Sequence, residues 1–450
     1  MLNKFLFTRI DNAGLVVFRA IFGFLIAAEA FGAIATGWVR RALVEPKFTF
    51  NFIGLDFLQP LPGNGMYFYF AIMGVFGLLV MLGYKYKWSM AGFTILWAGV
   101  YFMQKSSYNN HYYLLLLLCL LMLVLPANRY FSLDAKCNPS FKKIYMPQWC
   151  KWLIILQVWI VYTYASIAKL YPDWLDLTVV KNLMQPRANY FLIGGLLQKE
   201  WVHFFIAYSG IAFDLLIVPL LLWKRTRKWA FFASIFFHLF NSVVFQIGIF
   251  PYMSLAFSLF FFQPKTIRNI FLKKKPLYTE DEVEMPSYRN ALLWVGGIYF
   301  LIQIALPLRH WVIKDNVLWT EEGHRLSWRM MLRGKSGIIT FKVVNHTTGK
   351  QHFVKLSNYL TSKQQRIVAT KPDVIWQFAQ RLKKEYQEKG EQISVYAMSS
   401  KVRVNGGEYK AFIKPEVDLA NEPWHYFSHE EWIYPYEEKT ALNSTSRNKS

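Results

Sequence analysis

Long stretches of this 450-residue chain contain no Asp, Glu, Lys or Arg, among them Met66–Tyr84, Trp88–Gln104, Trp152–Ala168, Ala230–Pro264 and Asn290–Leu308. Crossing the hydrocarbon core of a bilayer takes roughly 20 mostly apolar residues, and soluble cores rarely supply so many runs of that length. Within lipid every backbone amide must be bonded inside the protein, so such runs fold as helices. The chain therefore reads as a polytopic all-α membrane domain. Apolar segments near 14–37, 66–84, 88–105, 110–127, 152–170, 202–223, 229–247, 249–264 and 290–308 make about nine transmembrane helices. Ala230–Pro264 is too long for one span and is divided at Gly248 and Pro251. The resulting segment 249–264 is short and stays open between a full span and a re-entrant helix. The first segment exceeds a signal-peptide core and carries Arg19 and Glu29, so it reads as a retained helix.

The formal net charge is +23. In a soluble protein that excess would point to nucleic acid, but no zinc-finger spacing or RNA-binding aromatic signature accompanies it. Beside membrane spans the better reading is topogenic charge, and the expected partner is the lipid bilayer rather than nucleic acid. Alternate loops up to residue 289 carry nineteen Lys and Arg, among them Lys85, Arg129, Lys143, Arg225 and Lys273, and the intervening loops carry seven. That asymmetry predicts an inside N-terminus, and an odd number of spans then puts the C-terminal region outside. The three cysteines, Cys119, Cys137 and Cys150, form neither a disulfide framework nor a CxxC motif. No metal-ligand spacing is present.

From Arg309 on the chain turns polar. Ile338–Asn345 and Gln392–Val404 are strand-like, and Pro372–Lys389 places Val374, Ile375, Phe378, Ala379, Leu382 and Tyr386 at helical spacing. The predicted organisation is a membrane domain over 1–308, a smaller α+β extramembrane domain over 309–436, and a disordered tail over 437–450.

Ionisable groups within spans are costly and need a reason. Lys169 follows Trp152–Ala168 and lies roughly 25 Å along that helix at 1.5 Å per residue, near the outer boundary. Tyr162, Ser166 and Lys169 share a face. Taken singly, Lys169 reads equally as an amine snorkelling to the headgroups. Tyr108-Asn109-Asn110-His111 reads alone as an interfacial cap, and His238, Asn241 and Ser242 read alone as helix–helix hydrogen bonding. Arg19, Glu29 and Asp214 read as structural, with Arg19 and Asp214 as a charge pair. Together, however, Lys169 and His111 fall at one membrane face with His238 somewhat deeper. A lysine desolvated there has its neutral form favoured and can act as a general base.

Five motifs run through these segments in order: Val17-Phe18-Arg19 with Phe22-Gly23; Asn109-Asn110-His111 with Tyr113-Leu114; Tyr162 to Lys169-Leu170 with Asp173-Trp174; Phe237-His238 with Asn241-Ser242, Ile247-Gly248 and Phe250; and Ser327-Trp328-Arg329-Met330-Met331. In this the chain resembles the vitamin K-dependent γ-carboxylase family, including its bacterial members with the HTTM membrane domain, over about residues 10–335. The resemblance implies an enzyme of the carbon–carbon lyase class, a vitamin K-dependent γ-glutamyl carboxylase. In that family a lysine deprotonates vitamin K hydroquinone, O2 converts the anion to a strong base, and that base takes a γ-proton from glutamate. The carbanion adds CO2 and the vitamin leaves as its epoxide. Lys169 matches the base, and Asn110 and His111 match reaction-centre residues. Tyr162, His238 and Asn241 match quinol- or substrate-binding positions. The implied quinol is menaquinol or phylloquinol, with no metal, and the implied partner is a glutamate-containing protein. The implied location is a bacterial inner membrane, with the active site and C-terminal domain on the periplasmic face. Animal members have two adjacent lysines, whereas Ala168 precedes Lys169 here. Two other functions compete: a quinol epoxidase without peptide carboxylation, and a non-enzymatic transporter or scaffold. A transporter would be expected to show paired repeats around a midplane site, and the sequence has no repeat.

Overall fold

The computed structural model describes residues 1–436, so the expected tail Glu437–Ser450 lies outside the described residues. The chain divides into two compact units. One comprises Met1–Pro307 with Leu326–Leu332, and the other Leu308–Arg325 with the residues from Arg333 on.

The first unit is helical. Its long apolar helices are α1 (Ala13–Ala35), α2 (Gly65–Leu82), α3 (Tyr86–Met103), α4 (Asn110–Val124), α5 (Trp149–Ile167), α6 (Glu200–Leu222), α7 (Arg227–Phe245), the short α8 (Phe250–Ala256) and α9 (Arg289–Leu308). Six of them, α1, α2, α5, α6, α7 and α9, are long and apolar enough to cross a membrane, which makes this a multi-pass membrane protein. The expected count of nine spans is not reached on those grounds. Helix α3 has eighteen residues but is less apolar, with Lys87, Ser89 and Thr94 in it. Helix α4 has fifteen residues. Helix α8 has seven, followed by a four-residue 3-10 turn, Phe257–Phe260. Together they rise about 19 Å, against a hydrocarbon core of about 30 Å. Phe257, Leu259 and Phe260 are buried within the protein rather than turned outward.

Hydrogen bonds gather the helix ends into two groups. At one end, Arg9–Asp11 pairs antiparallel with Tyr145–Pro147. Asp134 accepts from the backbone N–H of Lys85 and Tyr86, and the Asp11 carboxylate takes the Lys275 amine at 2.7 Å. This end therefore collects the start of α1, the α2–α3 turn, the α4–α5 loop and the segment around residue 275. At the other end, the Lys105 N–H donates to the Phe50 carbonyl, Leu326 N–H to the Tyr108 hydroxyl, and the Tyr171 hydroxyl to the Leu332 carbonyl. The end of α3, the start of α4, the end of α5 and the strap 326–332 meet there.

Helices α1 and α2 touch backbone to backbone. A Cβ on Gly77 would stand 2.7 Å from the Ala27 nitrogen, and one on Gly23 2.2 Å from the Met81 nitrogen. In lipid, helix association depends on packing, and small residues allow this approach. Gly77→Val should therefore destabilise the protein by about 1–3 kcal/mol or more, the usual cost of overpacking. The thermal midpoint of the detergent-solubilised variant is the check; an unchanged midpoint would mean that α1 and α2 do not meet at Gly77.

The second unit holds a four-stranded antiparallel sheet in the order β3–β2–β4–β5, with β2 = Lys335–Asn345, β3 = Gln351–Phe353, β4 = Ile393–Val404 and β5 = Lys410–Ala411; β1 is the short strand Arg9–Asp11 of the first unit. Phe341 pairs with Ala397 and Val343 with Val395, and all four are fully buried. Helix α10 (Pro372–Gln387) packs Val374, Ile375, Phe378, Ala379 and Leu382 inward. The strands and this helix stand where alternation and helical spacing predicted them.

Candidate active site

At the strapped end of the first unit lies a cavity of about 650 Å³. Its walls come from α1 (Ala28, Glu29, Gly32), from the start of α4 (Asn109, His111, Tyr112, Leu115), from the turn between α7 and α8 (Gly248, Phe250), and from Met331 of the strap. Most of the lining is apolar. Among its polar groups, Glu29 Oε1 accepts from the Tyr112 hydroxyl at 2.9 Å, and His111 comes from the same turn of α4. A Cβ on Gly248 would stand 3.5 Å from Glu29 Oε2, so the turn passes close to the acid. Gly248 has φ +64, a backbone conformation that favours glycine. The volume falls within the roughly 300–1,000 Å³ typical of pockets that take small organic molecules.

The local sequence explains how His111 comes to face this space. Asn109 caps α4, its side-chain oxygen accepting from the Tyr112 N–H at 2.7 Å. Asn110 turns the other way. It donates from Nδ2 to the Arg329 carbonyl at 3.0 Å and accepts the Tyr108 hydroxyl at 2.9 Å, so it holds the strap instead of lining the cavity. Trp328 of the strap is fully buried and stacks on Tyr113, 4.8 Å between ring centroids.

Lys169 lies at the same end, just past the last turn of α5, but does not line the cavity. Its Nζ donates to Asp214 Oδ2 at 2.5 Å and to the Ala165 carbonyl at 2.9 Å, and sits 5.6 Å from the Trp174 ring centroid. Two expectations are corrected here. The Lys169 surroundings are not simply apolar, because the Asp214 carboxylate accepts a hydrogen bond from its amine. And Asp214 is not the partner of Arg19. The Arg19 guanidinium donates to the Phe131 carbonyl at the opposite end of the unit, 2.6 Å away. Depth along a helix can be counted from sequence, but which neighbour stands beside it cannot.

Tyr162 and His238 do meet: the phenol and His238 Nε2 are 3.0 Å apart and buried. Phe250 stands between this pair and the cavity. His111 stacks on one side of it at 4.0 Å between centroids, and His238 meets it edge-on at 6.3 Å. Asn241 follows His238 by one helical turn, is half-buried, and is not among the cavity-lining residues. The six residues singled out from sequence are thus separated. His111 faces the cavity and Asn110 holds the strap; Tyr162 and His238 bond to one another beside Phe250, Lys169 bonds to Asp214, and Asn241 does not line the cavity. Sequence reading did not assign Glu29, Tyr112 or Asp214 to the site. Glu29 and Asp214 were visible as acids inside apolar helices, and Tyr112 as the residue beside His111.

Residues 7–265, more than half of the chain, match the family model of the HTTM domain, and residues 288–439 match that of the vitamin K-dependent gamma-carboxylase, lumenal domain. No solved structure matches the chain.

Proposed function

Because the chain belongs to the vitamin K-dependent gamma-carboxylase family, we propose that it couples oxidation of a membrane-soluble vitamin K hydroquinone to its epoxide with carboxylation of glutamate side chains in a protein substrate. The observation that carries this reading is a largely apolar cavity of about 650 Å³ whose lining includes the polar groups Glu29, Tyr112 and His111. A ring with two hydroxyls on a greasy tail fits such a lining: the tail meets apolar side chains, and the hydroxyls find donors and acceptors. When bound, the hydroquinone with O2 supplies the strong base that the carboxylation needs.

The chain's own residues bind, orient and move protons. Lys169 is the proposed general base. In its dry pocket a shift of one proton along the bond to Asp214 leaves a neutral amine and a neutral acid, and creates no net charge in low dielectric. The free amine can then accept a proton. Tyr162 and His238, bonded to one another, pack against Phe250, on which His111 stacks, and so help to position the His111 ring. Asn110 orients the strap that bears Met331. The strapped end and the second unit face outward in this reading, on the periplasmic side of a bacterial inner membrane.

The test is purified protein in lipid, supplied with vitamin K hydroquinone, O2 and labelled bicarbonate, with and without a glutamate-containing peptide. Epoxide together with label in the peptide is the expected result. Epoxide with no label would leave a quinol epoxidase, and neither product would leave a transporter or scaffold.

A further inference from the structure

At the end of the first unit opposite the strap, a second cavity of about 450 Å³ opens between the α2–α3 turn and the α4–α5 loop. Its walls include Arg19, Lys136 and Lys142 with Tyr130 and Ser132, and no acid is among its lining residues. Arg19 comes from inside α1 and is 1% exposed. One of its nitrogens donates to the Phe131 carbonyl at 2.6 Å, while Nε and Nη1 have no hydrogen-bond partner among the described residues. The nearest acid, Asp134, is already occupied: it accepts from the backbone of Lys85 and Tyr86 at 2.7 and 3.0 Å and from Asn128 at 2.6 Å. A buried guanidinium with two unanswered N–H directions is expensive unless an anion answers them.

The neighbouring groups are arranged for that anion. Lys142 sits 4.9 Å from the Tyr130 ring centroid, and Lys136 lies in the last turn of the short helix Leu133–Cys137. The guanidinium crosses Gly83, where a Cβ would stand 2.3 Å from Nη1; only glycine leaves room for it. Three cations around an open cavity with no acid in its lining match a phosphoryl group better than an apolar ligand.

We propose that this cavity binds a phosphate-bearing anion, with Arg19 as its fixed ligand and Lys136 and Lys142 as flexible ones. The phosphate is either the headgroup of an anionic lipid or a soluble phosphate. The site is remote from the reaction cavity and does not rest on the proposed chemistry.

Native mass spectrometry of the full chain released from nanodiscs tests it, with phosphatidylglycerol against phosphatidylcholine, alongside equilibrium dialysis with radiolabelled inorganic phosphate. The variant K136Q/K142Q removes charge without disturbing the buried arginine, and R19Q is the stronger but riskier change. The control K224Q/K228Q removes the same charge from another loop, where both lysines are exposed. The expected result is a retained phosphatidylglycerol adduct that weakens roughly twenty-five-fold in K136Q/K142Q, about fivefold per lysine, and stays unchanged in the control. Inorganic phosphate bound with the same variant dependence, but no lipid preference, would support a soluble ligand. An adduct lost equally in the control, or absent from the unmodified chain in both assays, overturns the proposal.

Discussion

Lys169→Arg should suppress epoxide formation by at least about 10²-fold, within the 10²–10⁴ that a positioned general base contributes, while leaving the protein folded. Arginine keeps a cation beside Asp214, so the buried pair survives; a guanidinium does not give up its proton in proteins. Lys169→Ala should lose activity equally but is a less clean test. It leaves the Asp214 carboxylate, 8% exposed at its side chain, without its partner, and removing one member of a buried pair costs about 3–5 kcal/mol. The informative comparison is epoxide yield from vitamin K hydroquinone in both variants, with thermal midpoints measured in parallel. Lys169→Arg working at the unmodified rate would remove Lys169 from the chemistry and leave it a structural ion pair. Asp214→Asn adds a second reading: if the pair shares a proton as proposed, its activity should fall with a shifted pH profile, whereas a purely structural aspartate would lower stability alone.

The largest stability change is expected in the second unit, from Glu321→Gln. Glu321 is buried and pairs with Arg333, while Lys335 Nζ approaches it at 3.9 Å. Burial alone would raise its carboxyl, but Arg333, Lys371, Lys335 and His324 together hold it well below the ordinary value of 4.5. Burial pushes the Lys335 amine down from 10.5 to about 7, with Glu321 opposing that shift. The neutral amide leaves Arg333 and Lys335 buried without their anion, at a cost of about 3–5 kcal/mol. The pH dependence has a definite sign. Glu321, lower in the folded state, contributes stability above pH 4.5 that is lost as the pH falls below it. Lys335, also lower in the folded state, makes the unfolded chain the better proton binder between about 7 and 10.5, so stability rises across that range. The cost of Glu321→Gln should therefore be larger at pH 6, where Lys335 is charged, than at pH 9. Hydrogen exchange of the strand Lys335–Asn345 in the full-length protein reads this out. Equal protection in the variant and the unmodified chain at pH 6 would show that the Glu321 charge does not hold this sheet.

Much of the architecture was legible because it rests on local rules. Long apolar runs must be helices in lipid wherever they lie, so the positions of most of the long helices followed from hydropathy alone. Helical and alternating spacing placed α10 and the two long strands, because each side of such an element meets a different solvent. What failed were statements that need a neighbour. The segment 249–264 is apolar enough to suggest a span, yet its phenylalanines are buried by other helices, and hydropathy cannot distinguish lipid from protein as the apolar surrounding. Arg19 and Asp214 were both visible as intramembrane charges, but pairing them required knowing which helices meet and at which end. The motif residues were identified as a set, while their division into a cavity wall, a strap and a buried hydrogen-bonded pair came only from packing.

By itself, then, the sequence determined that the chain is a helical membrane protein with an α+β appendage, and that it bears this family's motifs. Tertiary structure decided that Lys169 answers to Asp214, that Glu29 and Tyr112 bond to one another in the cavity wall, and that Arg19 faces a separate basic pocket. The physical reason is that periodicity and hydrophobicity are properties of one segment and its solvent. Hydrogen bonds and ion pairs over a few ångströms join segments as far apart as Asp11 and Lys275, and no local pattern encodes which ones.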